Sequence, residues 1–229
     1  MMSLTRILEP ELMDSAEEAR DYDAMDHSTV NRVFAADFLA VWNGAVPILD
    51  LGTGTAQIPI ELCRQDDRAV VTAVDAAAHM LALAKRNVDS AGLHERVRLE
   101  RADAKRLPFA DDAFAAVISN SIVHHIPEPI TVFAEMVRVL VPGGLLFVRD
   151  LLRPADQPTL RGLVDVYAAG ASEHARQMFA DSLHAALSLE EMRELVAELG
   201  LDSTRVRQTT DRHWTWVAWK AVASCKHIC

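Results

Sequence analysis

The stretch Val46-Pro47-Ile48-Leu49-Asp50-Leu51-Gly52-Thr53-Gly54-Thr55-Ala56-Gln57 decides the fold. An apolar run from Val46 to Leu51 holds one acid, Asp50, and breaks at once into Gly52 and Gly54. From Ala56 to Arg64 the pattern is helical, with Pro59 in the opening turn where its missing donor is tolerated. This reads as a buried strand that feeds a glycine turn and a helix N-terminus. Glycine has no Cβ and accepts φ > 0, so backbone there can approach a ligand closely. The helix start adds free N–H groups and the positive end of a dipole. A ligand bearing a carboxylate, phosphate or hydroxyl-rich group is expected at this turn.

Working outward, the alternation continues. Strands are expected at Ala69 to Val74, ending at Asp75, and at Val97 to Glu100, leading to Asp103. Further strands are expected at Ala113 to Ser119 and Leu145 to Val148. Between them lie helical patterns at Ala77 to Ala91, closed by Gly92, and at Pro129 to Leu140, followed by a Pro142-Gly143-Gly144 turn. Two helices precede the first strand, near Pro10 to Arg20 and Thr29 to Trp42, with Asp21 to His27 as the loop between them. After Asp150 the alternation lapses into a helical, irregular segment from Pro154 to Leu187. Ser188 and Glu191 then form a capping box for a helix that ends at Gly200. Two last strands are expected near Thr204 to Gln208 and Trp214 to Val222. Continuous apolar strands separated by helices imply a parallel α/β sheet covered on both faces.

Composition bounds the function. The 229 residues, half of them apolar and 24% charged, suit one globular domain. No apolar run approaches the roughly 18 residues of a membrane span. Arg6, Glu9 and Pro10 break the N-terminus, which lacks a signal-peptide core, so a cytoplasmic protein without a membrane partner is expected. A net charge of −10 argues against nucleic acid as a partner. The three cysteines imply no disulfide framework, and Cys225, His227 and Cys229 read as a terminal tail, so no metal site is expected.

Two ligand classes share the opening turn. A dinucleotide fold uses G-x-G-x-x-G with an acid about 20 residues on. Gly52, Gly54 and Asp75 fit it, but Gln57 stands at the third glycine. Four features point elsewhere: Asp50 two residues before Gly52, Asp75 at the second strand end, Asp103-Ala104 with Leu107-Pro108-Phe109, and Arg138-Val139-Leu140-Val141-Pro142-Gly143-Gly144. On these residues the chain resembles the class I S-adenosylmethionine-dependent methyltransferases. It looks most like the small-molecule group that includes the quinone C-methylating enzymes, over roughly residues 46 to 150.

The resemblance implies a doubly wound, Rossmann-like sheet of seven mostly parallel strands, the last antiparallel. It also implies a single methyltransferase domain over 1–229. Within that domain, 1–45 is a helical lid, 46–150 the cofactor-binding core, 151–187 a substrate-cap insert and 188–229 the closing helix and strands. S-adenosylmethionine is the implied cofactor. Gly52, Thr53 and Gly54 would face its amino-acid end, and Asp50 would accept from its ammonium. Asp75 would take the ribose diol, for which two carboxylate oxygens suit. Ala76 and Met80 would flank the adenine, Asp103 and Ala104 would bond its edge, and Asn120 and Ser121 would pass beneath the methionine portion.

Methyl transfer needs position and dryness more than protein chemistry. His124 and His125 follow the fourth strand, where ligands gather in open sheets, and are the candidate bases. They can equally be loop histidines that hold backbone carbonyls. Tyr22, Met25 and His27 are lid candidates. Arg149 and Arg153 are candidates for an anionic substrate, and Phe179, Asp181 and Ser182 for the cap. His213-Trp214-Thr215-Trp216-Val217 reads as a buried strand. No Asp-Pro-Pro-Tyr ends the fourth strand and no cysteine follows a proline, which disfavours DNA amine and pyrimidine C5 methylation. The expected activity is methylation of a small molecule at O, N, C or S by a monomer or homodimer. The alternatives are an NAD(P)-dependent oxidoreductase and a non-catalytic cofactor-binding protein.

Overall fold

The computed structural model describes residues 4–9, 15–24 and 27–222. Met25 of the expected lid, Pro10 and the Cys225, His227, Cys229 tail lie outside the described residues. Seven strands form one sheet in the order β3-β2-β1-β4-β5-β7-β6. They are β1 (Ile48–Leu51), β2 (Val71–Asp75), β3 (Val97–Arg101), β4 (Phe114–Asn120), β5 (Leu140–Leu151), β6 (Val206–Gln208) and β7 (His213–Trp219). β1 is parallel to both β2 and β4, and β2 is parallel to β3. β7 runs antiparallel to β6. It also runs against β5: Gly143 N–H donates to Lys220 at one end, and Leu152 N–H donates to Arg212 at the other. The strand order reverses at β1 and β4, whose register aligns Leu51 with Ser119. That reversal is where open α/β sheets bind ligands, at the strands' carboxyl ends.

The chain forms two compact units. The larger comprises Met13–Ser119, Thr131–Phe147 and Val217–Cys229. It contains α1 (Ala16–Ala24), α2 (Ser28–Leu39), α3 (Gln57–Gln65), α4 (Ala78–Ser90) and most of α5 (Pro129–Val139). β1 is buried along its whole length, so its run of apolar side chains has to be covered on both faces. Phe34 and Phe38 of α2 meet Phe147 of β5 edge-on, with ring centroids 5.2 and 5.9 Å apart. Trp42 stacks on Phe38 at 5.8 Å. These rings close the apolar layer that also includes Ile48, Leu62, Val71, Ala84 and Ile118.

The smaller unit comprises Met1–Leu12, Asn120–Ile130 and Val148–Trp216. Its helices are α6 (Gln157–Tyr167), α7 (Glu173–Ala185) and α8 (Leu189–Glu198). Leu160, Leu163 and Val164 of α6 pack with Leu183 and Ala186, and with Leu151 of β5. All three helices begin on a side-chain cap, from Asp156, Ser172 and Ser188. The expected capping box is present: Ser188 Oγ accepts from Glu191 N–H at 3.2 Å, and Glu191 Oε2 accepts from Ser188 N–H at 2.8 Å.

Two local expectations change. Asp21 to Ala24 is the last turn of α1 rather than loop. Tyr22 and Ala19, three residues apart on one helix face, pack against Ala77 and Met80, and that burial overrides weak local preference. Pro142-Gly143-Gly144 lies inside β5 rather than in a free turn. Gly143 does have φ +77°, but its N–H and the Gly144 carbonyl both bond Lys220. A Cβ on Gly144 would stand 2.8 Å from the Val141 carbonyl oxygen.

Phe147→Ala leaves a cavity against the Phe34 and Phe38 rings and should lower the unfolding free energy by about 3–5 kcal/mol. Ser188→Ala removes one cap and should cost about 1 kcal/mol. Urea melts of the two variants check this ordering.

Candidate functional site

In the larger unit the glycine turn is built as the sequence suggests. Gly52 (φ +74°) and Gly54 (φ +54°) are left-handed, and so is Ala56 (φ +62°), which caps α3. A non-glycine residue there costs about 1–2 kcal/mol, so the surroundings must hold it in place. They do so through the backbone: Gly52 and Thr53 N–H both donate to the Val74 carbonyl, and Ala56 N–H donates to Thr53. Asp75, at the end of β2, completes the clamp. Its Oδ2 accepts from Gly54 N–H at 2.8 Å and its Oδ1 from Ala77 N–H at 2.9 Å. One carboxylate thus ties the β1–α3 turn to the start of α4.

Asp50 has the opposite situation. It is 1% exposed, and neither of its oxygens makes a hydrogen bond among the described residues. Burial pushes its carboxyl up to about 7. The nearby Thr53 hydroxyl opposes that rise without meeting hydrogen-bonding geometry, and the Asp75 charge adds to it. The Thr53 and Thr55 hydroxyls are also buried without a hydrogen bond. Three buried polar side chains around one turn thus lack a hydrogen bond, which marks the turn as a candidate place for a polar ligand.

The other expected cofactor contacts of this unit fall as follows. Ala76 and Ala104 are half-buried. Met80 is buried in the small cluster with Ala19 and Ala77. Asp103 is exposed and accepts from Lys105 N–H at 2.9 Å. Burial alone would raise its carboxyl, but Lys105 holds it below the usual range. Tyr22, expected on the substrate side, instead lies against the turn, with its Cε1 3.6 Å from where a Gly54 Cβ would sit. Burial raises its hydroxyl, and Asp75, Asp50 and Asp23 raise it further. Asp23 accepts from Asn87 Nδ2 at 2.9 Å, which fastens α1 to α4.

In the smaller unit, Asn120 and Ser121 are half-buried, and Ser121 (φ +59°) donates its N–H to the Arg149 carbonyl. A short 3-10 turn, Val123–His125, follows. Asp150, near the end of β5, is its anchor. Asp150 accepts from Val123 N–H and Leu151 N–H at 2.6 Å each, and pairs with His124 Nδ1 at 2.6 Å. Burial works against the Asp150 charge, yet His124 and the two N–H groups hold its carboxyl below the usual range. Burial likewise works against a charged His124, but Asp150 and Glu9 lift it above its ordinary value. His124 Nε2 lies 3.4 Å from Glu9 Oε1, and His125 Nδ1 lies 3.1 Å from the same oxygen. Ser182 donates to Glu9 at 3.1 Å.

Of the other substrate-side candidates, Arg153 pairs with Glu191 at 2.6 Å and Arg149 donates to Thr215 at 2.9 Å. Phe179 packs into the α6–α7 layer, and Asp181 accepts from Gln177. His213 is held down to about 4, chiefly by burial. Sequence reasoning missed Glu9 and the anchoring role of Asp150. Nothing in the pattern marks Glu9; Asp150 carries a signal, as an acid two residues past the apolar run Leu145 to Val148.

Asp75→Ala leaves two N–H groups without their acceptor and should cost about 1–3 kcal/mol. Asp103→Ala, on the surface, should stay within about 0.5 kcal/mol of the parent in the same urea melts. Asp50 gives a pH signature. Its folded value of about 7 lies above the ordinary 3.8, so the folded state holds the extra proton across that window. The associated stability is present at low pH and is lost as pH rises toward 7. Asp50→Asn should therefore gain on the parent between pH 5 and pH 8 in urea melts. An equal difference at both values would contradict the raised carboxyl.

Comparisons with known proteins agree with this geometry. Residues 48–144 match the family described as "Methyltransferase domain". The chain is 32% identical over 168 residues to Methyltransferase GfsG of Streptomyces halstedii, covering 72% of this chain and 56% of that protein. It is 38% identical over 112 residues to the ubiquinone/menaquinone biosynthesis C-methyltransferase UbiE of Desulfotalea psychrophila, covering 49% of this chain and 44% of that protein. The chain thus spans about half the length of these curated relatives. The crystal structure of a SAM-dependent methyltransferase from Aquifex aeolicus shares the fold, with a TM-score of 0.65 at 18% identity over 90% of this chain and 98% of that one. Among the described residues no helix is long and apolar enough to cross a membrane. Over residues 48–144 the chain therefore matches a methyltransferase domain.

Proposed function

We propose that this protein transfers a methyl group from S-adenosylmethionine to a small-molecule acceptor, at O, N, C or S, by in-line displacement. The observation that carries the reading is the pair of carboxylates at the glycine turn. Asp50 is buried without a hydrogen bond, while Asp75 is fixed by Gly54 and Ala77. A buried carboxylate that lacks a donor is stabilised by a cation, and the cofactor's ammonium is one. In this reading Asp50 takes the ammonium, and the Gly52–Gly54 backbone lies along the amino-acid end. Asp75, already oriented by two N–H groups, turns its remaining lone pairs to the ribose hydroxyls. Asp103 and Ala104 bond the adenine edge beside Ala76 and Met80. Asn120 and Ser121 belong to the methionine end.

Bound S-adenosylmethionine supplies an electrophilic methyl carbon on its sulfonium. The chain's part is to hold the acceptor in line and keep water out. The relative named for C-methylation in quinone biosynthesis supports a small-molecule acceptor. In this reading residues 151–187 form the cap over that acceptor and residues 1–45 the lid.

Calorimetry with S-adenosylhomocysteine tests the cofactor roles. The parent should bind, and Asp75→Ala should weaken binding at least tenfold. Because the ammonium requires an ionised Asp50, affinity should fall as pH drops below about 7, and Asp50→Asn should flatten that fall. Folded protein that binds no S-adenosylhomocysteine, or an Asp75→Ala variant that binds like the parent, would sink the reading. Labelled-methyl turnover with a panel of phenols, quinols, amines and thiols then identifies the accepting atom.

A further inference from the structure

We infer that Glu9, His124 and His125 form a binding site for a borderline divalent metal ion, of which Zn2+ is the type. The three residues come from two separate segments of the smaller unit. Their ligand atoms, a Glu9 carboxylate oxygen and one nitrogen from each ring, all lie within 4.8 Å of one another. Both imidazoles converge on one oxygen: His124 Nε2 stands 3.4 Å and His125 Nδ1 3.1 Å from Glu9 Oε1. Ligands of a tetrahedral ion with bonds of about 2.0–2.1 Å stand about 3.3 Å apart, so both spacings are those of a coordination shell. An ion bonded to all three needs each pair below about 4.2 Å, which leaves at most a small swing of the more exposed His125 ring.

The outer shell is built as well. His124 is 4% exposed, and its Nδ1 pairs with Asp150 Oδ1 at 2.6 Å. That contact fixes the ring and presents Nε2 toward Glu9, the carboxylate–histidine–metal arrangement. Ser182 of α7 donates to Glu9 Oε1 at 3.1 Å and lies 3.3 Å from Oε2, which orients the carboxylate. Arg6 lies nearby, and its guanidinium is turned to backbone. It donates to the carbonyls of Ala185 at 2.7 Å, Ile126 at 3.0 Å and His124 at 3.3 Å. It therefore braces the histidine turn instead of pairing with Glu9.

Two imidazoles with one carboxylate select Zn2+, Co2+, Ni2+ or Fe2+ over Mg2+ and Ca2+, which prefer oxygen. Three protein ligands leave at least one position for water or an acceptor oxygen, as in open rather than structural sites. A metal ion here would join residues 4–9 to the Val123–His125 turn through bonds stronger than any of the present contacts. The same geometry explains why neither histidine stands out as a free base: each is aimed at a carboxylate.

The test uses the full chain, free of any affinity tag and stripped with a chelator. It carries Cys225→Ser, His227→Ala and Cys229→Ser, so that the tail cannot bind metal. Titration with Co2+ alone should saturate at one equivalent and give a d–d spectrum without a thiolate charge-transfer band. Zn2+ should displace Co2+, and excess Mg2+ should not. Glu9→Gln and His125→Ala should each weaken Co2+ binding at least tenfold with an unchanged far-ultraviolet circular dichroism spectrum. Should His125→Ala fail to fold, Glu9→Gln and X-ray absorption of the Zn2+-loaded chain decide, the latter expecting two imidazoles in the first shell. No saturable binding, binding that Glu9→Gln leaves intact, a first shell lacking imidazole, or displacement by Mg2+ would each overturn the assignment.

Discussion

A strand covered on both faces has no room for charge except where it ends, and this constraint shapes the protein. β1 and the second half of β5 are buried residue after residue. The acids that matter stand at or near strand ends: Asp50 in β1, Asp75 closing β2, Asp150 near the end of β5. Asp50 and Asp150 are buried and Asp75 is half-buried, so the partners each finds in the fold govern its charge. The matching is what distinguishes them. Asp75 takes two backbone N–H groups, Asp150 takes two more and a histidine, and Asp50 takes none.

Asp50 and Asp150 show how far surroundings decide the chemistry of one functional group. Both are buried to the same degree. Burial lifts the Asp50 carboxyl to about 7, whereas His124 and two N–H donors keep the Asp150 carboxyl ionised and low. The first is a site that wants a visitor. The second is already engaged, and passes its influence on by aiming a histidine ring.

Much of this was legible in the sequence, and the reasons are local. Asp50, Gly52 and Gly54 announce a strand and a turn because glycine and a lone acid in an apolar run have few other uses. Ser188 and Glu191 announce a helix start because their bonds are made within four residues. Asp75 and Asp103 could be placed by spacing along alternating elements. What escaped was long-range or tertiary. Glu9 meets His124 across more than a hundred residues, and no period or motif encodes that meeting. The end of α1 is helical because Ala19 and Tyr22 find Ala77 and Met80, partners far along the chain. Pro142-Gly143-Gly144 joins the ladder because Lys220 is there to bond it. The place of Tyr22 against Gly54 depends on packing and not on its own neighbours.

Arg6 has a consequence for how such proteins are handled and compared. One guanidinium near the N-terminus holds carbonyls that belong to residues 124, 126 and 185. The family match, by contrast, spans only residues 48–144. A shortened gene or a designed chimera trimmed to that match would keep the glycine turn, Asp75 and Asp103 and still lose the brace under the histidine turn. Sequence likeness over that span would score such a molecule as intact.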